Sequence, residues 1–142
     1  MTAALGRYLA VDYGQKRVGL AISDPLGIIA SPAGFIARRA RKRPPVAEIV
    51  RRAESLEARG FVMGLPLDGN GEETDWTREA RAVGAELEKR TGLPVRYLDE
   101  RFTTSAALRT VRKMGGSTRG RKGDVDSMAA AVLLQRALDL PD

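Results

Sequence analysis

The chain has 142 residues, 43% hydrophobic and 30% charged, a balance that suits one globular domain with a real core and excludes wholesale disorder. Its 24 Lys and Arg against 18 Asp and Glu leave a net charge of +6, which favours a polyanionic partner, nucleic acid first. Cysteine and histidine are both absent, and with them go zinc fingers, disulfide frameworks, Cys-His nucleophiles and Ser-His-Asp triads. Any catalysis must rest on carboxylates, hydroxyls, Lys or Arg, backbone or a hard metal ion. Met1 to Arg7 hold no long apolar segment and no later run approaches ~18 apolar residues, so a soluble, cytoplasmic protein is expected.

Three short β-like runs come first, Tyr8 to Tyr13, Val18 to Ser23 and Ile28 to Phe35, with turns at Gly14 to Arg17 and Asp24 to Gly27. Spacers this short suit antiparallel hairpins. In the first run, Leu9, Ala10 and Val11 read as a buried strand that ends in a charge, Asp12. Gly14, Arg17, Gly19 and Ala21 follow it in the spacing D-x-G-x-x-R-x-G-x-A. A carboxylate in that place is costly unless it is paired, hydrogen-bonded or bound to a metal, which makes Asp12 the first candidate for chemistry. Gly14 to Gly19 also fits G-x-x-x-x-G, but Leu20 and Ala21 stand where a Walker A motif needs Lys and Ser or Thr, so that reading fails.

Arg38, Arg39, Arg41, Lys42 and Arg43 then form a basic run; two prolines after it discourage a continuous helix and leave an exposed arm suited to phosphate contact. A helix is expected from about Pro44 to Arg59, with Val46, Ile49, Val50, Ala53 and Leu56 on one face and Gly60 stopping it. Phe61 to Leu65 is a compact strand. The glycines of the segment Gly64 to Gly71 could bring backbone N–H groups to a phosphate, although a plain strand-to-helix loop is the simpler reading. The second helix carries Trp76, Ala80, Val83 and Leu87 on one face, with Thr74 as N-cap and Gly92 as its end. After the strand Val95 to Leu98, Thr103, Thr104 and Ser105 most simply cap a helix from Ser105 to Met114. A last helix from Val125 to Leu138 turns Val125, Met128, Ala129, Val132 and Leu133 inward.

The order β-β-β-α-β-α-β-α-α, with no repeat or second-domain boundary, reads as a single α/β domain spanning residues 1–142. Its five strands make a mixed sheet, three antiparallel strands then two parallel ones, with helices on both faces. A second irregular basic stretch, Gly115 to Gly123, brings Arg119, Arg121 and Lys122 just before the last helix.

The acids fall at element ends. Asp99 and Glu100, followed by Arg101, close the strand Val95 to Leu98, and Asp124 and Asp126 open the last helix. Each has a structural reading alone: Asp124 as cap, Asp126 as partner of the helix dipole, Asp99 as ion-pair partner of Arg101. Together with Asp12 they suggest more, since acids that converge repel one another and recruit a cation. Oxygen ligands without His or Cys point to Mg²⁺ or Mn²⁺. Two such ions about 4 Å apart can activate water and stabilise a leaving oxygen in attack on a phosphodiester. Adjacent residues of a strand face opposite ways, so spacing leaves open whether Asp99 or Glu100 enters the site.

Asp12-Tyr13-Gly14 with Arg17 and Gly19, Gly64-Leu65-Pro66 with Gly69, Asp99-Glu100-Arg101 with Thr104, and Val125-Asp126-Ser127 with Ala129 and Ala130 resemble, in order and over nearly the whole chain, the bacterial YqgF or RuvX-like family. The resemblance implies an RNase H-like fold and a nuclease, described either as a Holliday junction resolvase or as an enzyme maturing the 5′ end of pre-16S ribosomal RNA. It implies Asp12, Glu100 and Asp126 as catalytic, metal-binding acids; Asp99 is kept as an auxiliary acid, and Asp124 is a candidate for the fourth acid that related enzymes commonly use, with no motif assigning it. The leading expectation is a nuclease acting on RNA with Mg²⁺ or Mn²⁺, two ions being held once substrate is bound. Arg17, Arg101, Arg119, Arg121, Lys122 and the arm from Arg38 to Arg43 would contact nucleic acid. The rivals are a junction resolvase acting on branched or single-stranded DNA, which calls for a homodimer rather than a monomer, a non-catalytic RNA-binding assembly factor, and a phosphate-hairpin ATPase.

Overall fold

A computed structural model describes residues 6–38, 43–100 and 122–140. Its elements are β1 (Arg7–Tyr13), β2 (Arg17–Ser23), β3 (Ala30–Ala37), α1 (Val46–Ser55), β4 (Ala58–Leu65), α2 (Asp75–Thr91), β5 (Val95–Asp99) and α3 (Lys122–Asp139). The expected helix Ser105 to Met114 and most of the stretch Gly115 to Gly123 lie outside the described residues. The five strands form one sheet in the order β3-β2-β1-β4-β5. β3, β2 and β1 pair antiparallel, and β1-β4 and β4-β5 pair parallel, the mixed sheet the element order implies.

Strand alternation divides the core in two. Leu9, Val11 and Tyr13 of β1, Val18 and Leu20 of β2, and Phe61 and Met63 of β4 pack with Ile49 and Ala53 of α1 and Ala80, Val83 and Leu87 of α2. On the opposite face Tyr8, Ala10, Ala21 and Val62 pack with Ala130, Leu133, Leu134 and Ala137 of α3. The first face is bulky; the second is mostly small. Among the described residues no helix is long and apolar enough to cross a membrane.

Helix α2 keeps its expected limits. Thr77 N–H donates to the Thr74 hydroxyl and Thr74 N–H to the Thr77 hydroxyl, a reciprocal cap, and Gly92 closes the helix in the left-handed region at φ 73°. Helix α1 differs: it stops at Ser55, and the chain turns at Leu56 and Glu57, the latter at φ 56°. Gly60 lies inside β4, because parallel pairing with β1, Arg7 to Ala58 and Tyr8 to Gly60, draws these residues into the sheet. β3 begins at Ala30 rather than Ile28, since the Asp24 carboxylate accepts the N–H groups of Ile28 and Ile29 at 2.7 and 2.8 Å and lengthens the turn. Met128 is 48% exposed instead of inward, because α3 buries the stripe through Val125, Ala129 and Leu133 on one side and Ala130, Leu134 and Ala137 beside it. Helix α3 starts at Lys122, which puts Asp124 within its first turn instead of before it.

Candidate active site

Asp12 is the sixth residue of β1 and continues the series Tyr8, Ala10 toward the α3 face. Directly opposite it in the antiparallel pair stands Gly19 of β2. A Cβ on Gly19 would collide with the backbone of Asp126 in α3, so the missing side chain is what lets the helix reach the sheet there. Gly64 of β4 lies one step past the Val11–Met63 pair, beside Asp12, and is itself paired with Leu98 of β5. A Cβ on Gly64 would stand 2.5 Å from Glu100 Oε2. Two glycines thus make room on the sheet surface, one for Asp126 and one for Glu100, on either side of Asp12.

Parity also answers the question that spacing left open. Leu98 packs in the α3 core and Tyr97 against the other one, so Glu100 follows Leu98 onto the face of Asp12, while Asp99 follows Tyr97 to the α2 side. Asp12, Glu100 and Asp126 keep only 3%, 9% and 7% of their surface exposed. Burial at that level requires partners, and among the described residues every buried side-chain nitrogen and oxygen has one. For Asp126 the contact is short: Arg17 Nε donates to Asp126 Oδ2 at 2.5 Å. As placed, no three acidic side chains among the described residues stand close enough together to grip one ion.

What holds α3 at this depth escaped sequence reasoning. The Ser127 hydroxyl donates to the Leu20 carbonyl at 2.9 Å and accepts from Gly34 N–H at 3.1 Å, at the irregularity in β2-β3 pairing between Gly19 and Ala21. Two turns on, Gln135 accepts from Ala30 N–H and donates to the Ile28 carbonyl, at 3.0 and 2.9 Å. Arg96 donates to the Ala137 carbonyl at 3.1 Å from the other edge. The available signal was a polar stripe, Ser127 and Gln135, along a helix face otherwise made of Ala and Leu.

A second polar cluster backs Asp12 from the opposite face. The Tyr13 hydroxyl donates to Glu79 Oε2 at 2.6 Å, and its ring stacks on Trp76 with centroids 5.0 Å apart. Burial first, then the Glu79 hydrogen bond, pushes the Tyr13 phenol well above its ordinary range. The Arg38 guanidinium lies 4.6 Å from the Tyr13 ring centre, donates to the Gly14 carbonyl at 3.0 Å and pairs with Glu79 at 3.4 Å. With its side chain only 11% exposed, Arg38 faces inward and anchors the start of the basic run instead of extending it into solvent. Arg43 is exposed. Arg39, Arg41, Lys42, Arg101, Arg119 and Arg121 lie outside the described residues; Lys122 is the first residue of α3.

The Gly64 to Gly71 loop spends its amides internally. Asp68 Oδ1 accepts from Asn70 and Glu72 at 2.9 Å each, and Leu67, Asp68 and Gly71 donate to backbone carbonyls within the loop. Four N–H groups of the segment, and that of Glu72 just after it, are committed, which favours the plain-loop reading over a phosphate cradle. A cleft of about 770 Å³ opens at the other end of the strands, lined by Arg7, Glu54, Glu57, Arg59 and Arg90 among others. It lies away from the acids and mixes both charges.

The sheet order β3-β2-β1-β4-β5 with the closing helix α3 defines an RNase H-like fold. The chain superimposes on Thermus thermophilus RuvC in complex with a Holliday junction substrate with a TM-score of 0.59, covering 94% of this chain and 93% of RuvC at 12% identity. The family model described as "RuvX: Holliday junction resolvase" matches residues 6–140, and the chain belongs to that family. Among its relatives is a protein of Koribacter versatilis (strain Ellin345), 41% identical over 97% of this chain and 90% of its own length. Another, from Anaeromyxobacter sp. (strain Fw109-5), is 41% identical over 94% and 96%. Both are named "Putative pre-16S rRNA nuclease".

Proposed function

We propose that this protein is a divalent-metal-dependent nuclease that hydrolyses phosphodiester bonds in RNA, acting in 5′-end processing of pre-16S ribosomal RNA, with Asp12, Glu100 and Asp126 as its catalytic, metal-holding acids. The observation that carries the reading is the burial of three carboxylates, from β1, the end of β5 and the first turns of α3, toward one face of the sheet. The names of the relatives support the substrate, and the net charge of +6 supports a polyanion.

The donor chemistry suits a hard cation, carboxylate oxygens only; Gly19 and Gly64 make room for the Asp126 backbone and the Glu100 carboxylate themselves. A bound Mg²⁺ or Mn²⁺ supplies Lewis-acid stabilisation and a more acidic water. The chain's own part is to hold the acids on a rigid sheet, through the Asp12–Gly19 pairing and the Ser127 bonds, and to meet the substrate's phosphates with Arg17, Arg43 and the basic segments beside them. Asp99, on the other face, acts through the strand end and not by direct contact.

Cleavage of pre-16S rRNA fragments and of four-way DNA junctions, with Mg²⁺, Mn²⁺ or EDTA, tests the reading. RNA cleavage that needs the ion and falls at least about 10²-fold in Asp12→Asn is expected, with an unchanged circular dichroism spectrum. Full activity in that variant sinks the site assignment. Symmetric junction cleavage without RNA cleavage would transfer the site to DNA.

A further inference from the structure

Arg17 opens β2 and shares a face with Gly19 and Ala21, because alternate strand residues point the same way. That places its guanidinium over the acid face, where Nε meets Asp126 Oδ2 at 2.5 Å with side-chain exposures of 20% and 10%. A charge-assisted bond this short and this sheltered is among the stronger polar contacts available to a carboxylate. Asp126 lies in the second turn of α3, beyond the first turn over which the helix dipole is felt. The Arg17 guanidinium already acts on this carboxylate, and a divalent ion would be a further positive charge on it.

We propose that Arg17 is a tethered counter-ion that competes with the divalent cation for Asp126, so that the cation binds fully only as Arg17 releases the carboxylate. This rests on the reading of Asp126 as a metal ligand. The contact itself supports it: Arg17 Nε occupies Asp126 Oδ2, an oxygen that an ion would need, and both side chains are largely sheltered from water. The opposite role, Arg17 orienting Asp126 for the ion, predicts the opposite sign on mutation. Removing a positive charge beside a ligand oxygen strengthens cation binding if it competes and weakens it if it orients. Once released, the guanidinium is the nearest cation on β2 for an incoming phosphate.

Titration calorimetry with Mn²⁺ on the full chain decides between these, using wild type, Arg17→Gln, Arg17→Lys and Asp126→Asn. Arg17→Gln is expected to bind Mn²⁺ about tenfold tighter or more, and its melting temperature to rise more on adding Mn²⁺ than that of wild type. Arg17→Lys, which keeps the charge but loses the planar fork, should fall between them and serves if the Gln variant does not fold. In cleavage assays the Mn²⁺ half-saturation of Arg17→Gln drops while its rate at saturating Mn²⁺ also drops, a split that mere loss of structure does not produce. Equal or weaker Mn²⁺ binding by Arg17→Gln overturns the proposal and leaves the metal reading standing. Wild-type affinity in Asp126→Asn, or no Mn²⁺ binding by folded wild type, overturns the metal reading and the proposal with it.

Discussion

The two faces of the sheet are built from opposite kinds of residue. Toward α1 and α2 the strands send Leu9, Val11, Leu20, Phe61 and Met63, an apolar layer that holds the fold together. Toward α3 they send Ala10, Gly19, Ala21, Val62 and Gly64, and the helix answers with Ala129, Ala130 and Ala137. Small residues on both partners bring a helix backbone close to a sheet, and here the approach carries Asp126 to the level of Asp12. The bulky face contributes stability; the small face contributes proximity. A domain can thus bury three acids without weakening its main core, since the apolar work is done on the other side.

Substitutions on the two faces should separate these contributions. Phe61→Ala, on the bulky face, is expected to cost about 3–5 kcal/mol in denaturant unfolding, while the cleavage rate per folded molecule stays near wild type. Gly19→Val, on the small face, should cost about 1–3 kcal/mol by overpacking and also remove cleavage in the fraction that remains folded. If Gly19→Val melts early yet cleaves normally, proximity is not what the small face provides. Ser127→Ala leaves the Leu20 carbonyl and Gly34 N–H without their hydroxyl and should lose about 1–3 kcal/mol, with a drop in cleavage that calorimetric stability alone does not explain.

The smallest effect is expected at Tyr13, whose phenol bonds Glu79 on the face opposite Asp12. Tyr13→Phe should cost about 0.5–1.5 kcal/mol. Its raised pKa fixes the sign of a pH effect: the neutral phenol's contribution is whole below the unfolded value near 10 and is lost as pH rises through the higher folded value. Alkaline unfolding curves of wild type and Tyr13→Phe should therefore converge as the pH climbs, and parallel curves would show that Tyr13 titrates as an ordinary exposed phenol.

Much of this was legible beforehand, and the failures share a cause. Thr74 and Gly92 bounded α2 correctly because caps are local chemistry. Gly60 misled as a helix stop because its place is set by pairing with Tyr8, some fifty residues earlier in the chain. Arg38 read as part of a solvated arm, and only the stack of Tyr13 and Trp76 with Glu79 beside it accounts for its inward turn. Met128 fitted a generic amphipathic helix, whereas the phase of α3 is set by Ser127 and Gln135 bonding to β2, β3 and the turn before β3.

The sequence by itself determined the kind of chemistry open to this protein. With no histidine or cysteine, a basic surface and acids at element ends, oxygen-ligand chemistry on a polyanion was the natural reading. Strand periods and caps likewise determined most of the elements, because they depend on neighbours a few residues away. Only the tertiary structure decided that Glu100 and not Asp99 shares the face of Asp12, and that Arg17 meets Asp126 across 109 residues of chain. Both follow from strand pairing register and from how deeply one helix can sit on a sheet, which no local pattern encodes.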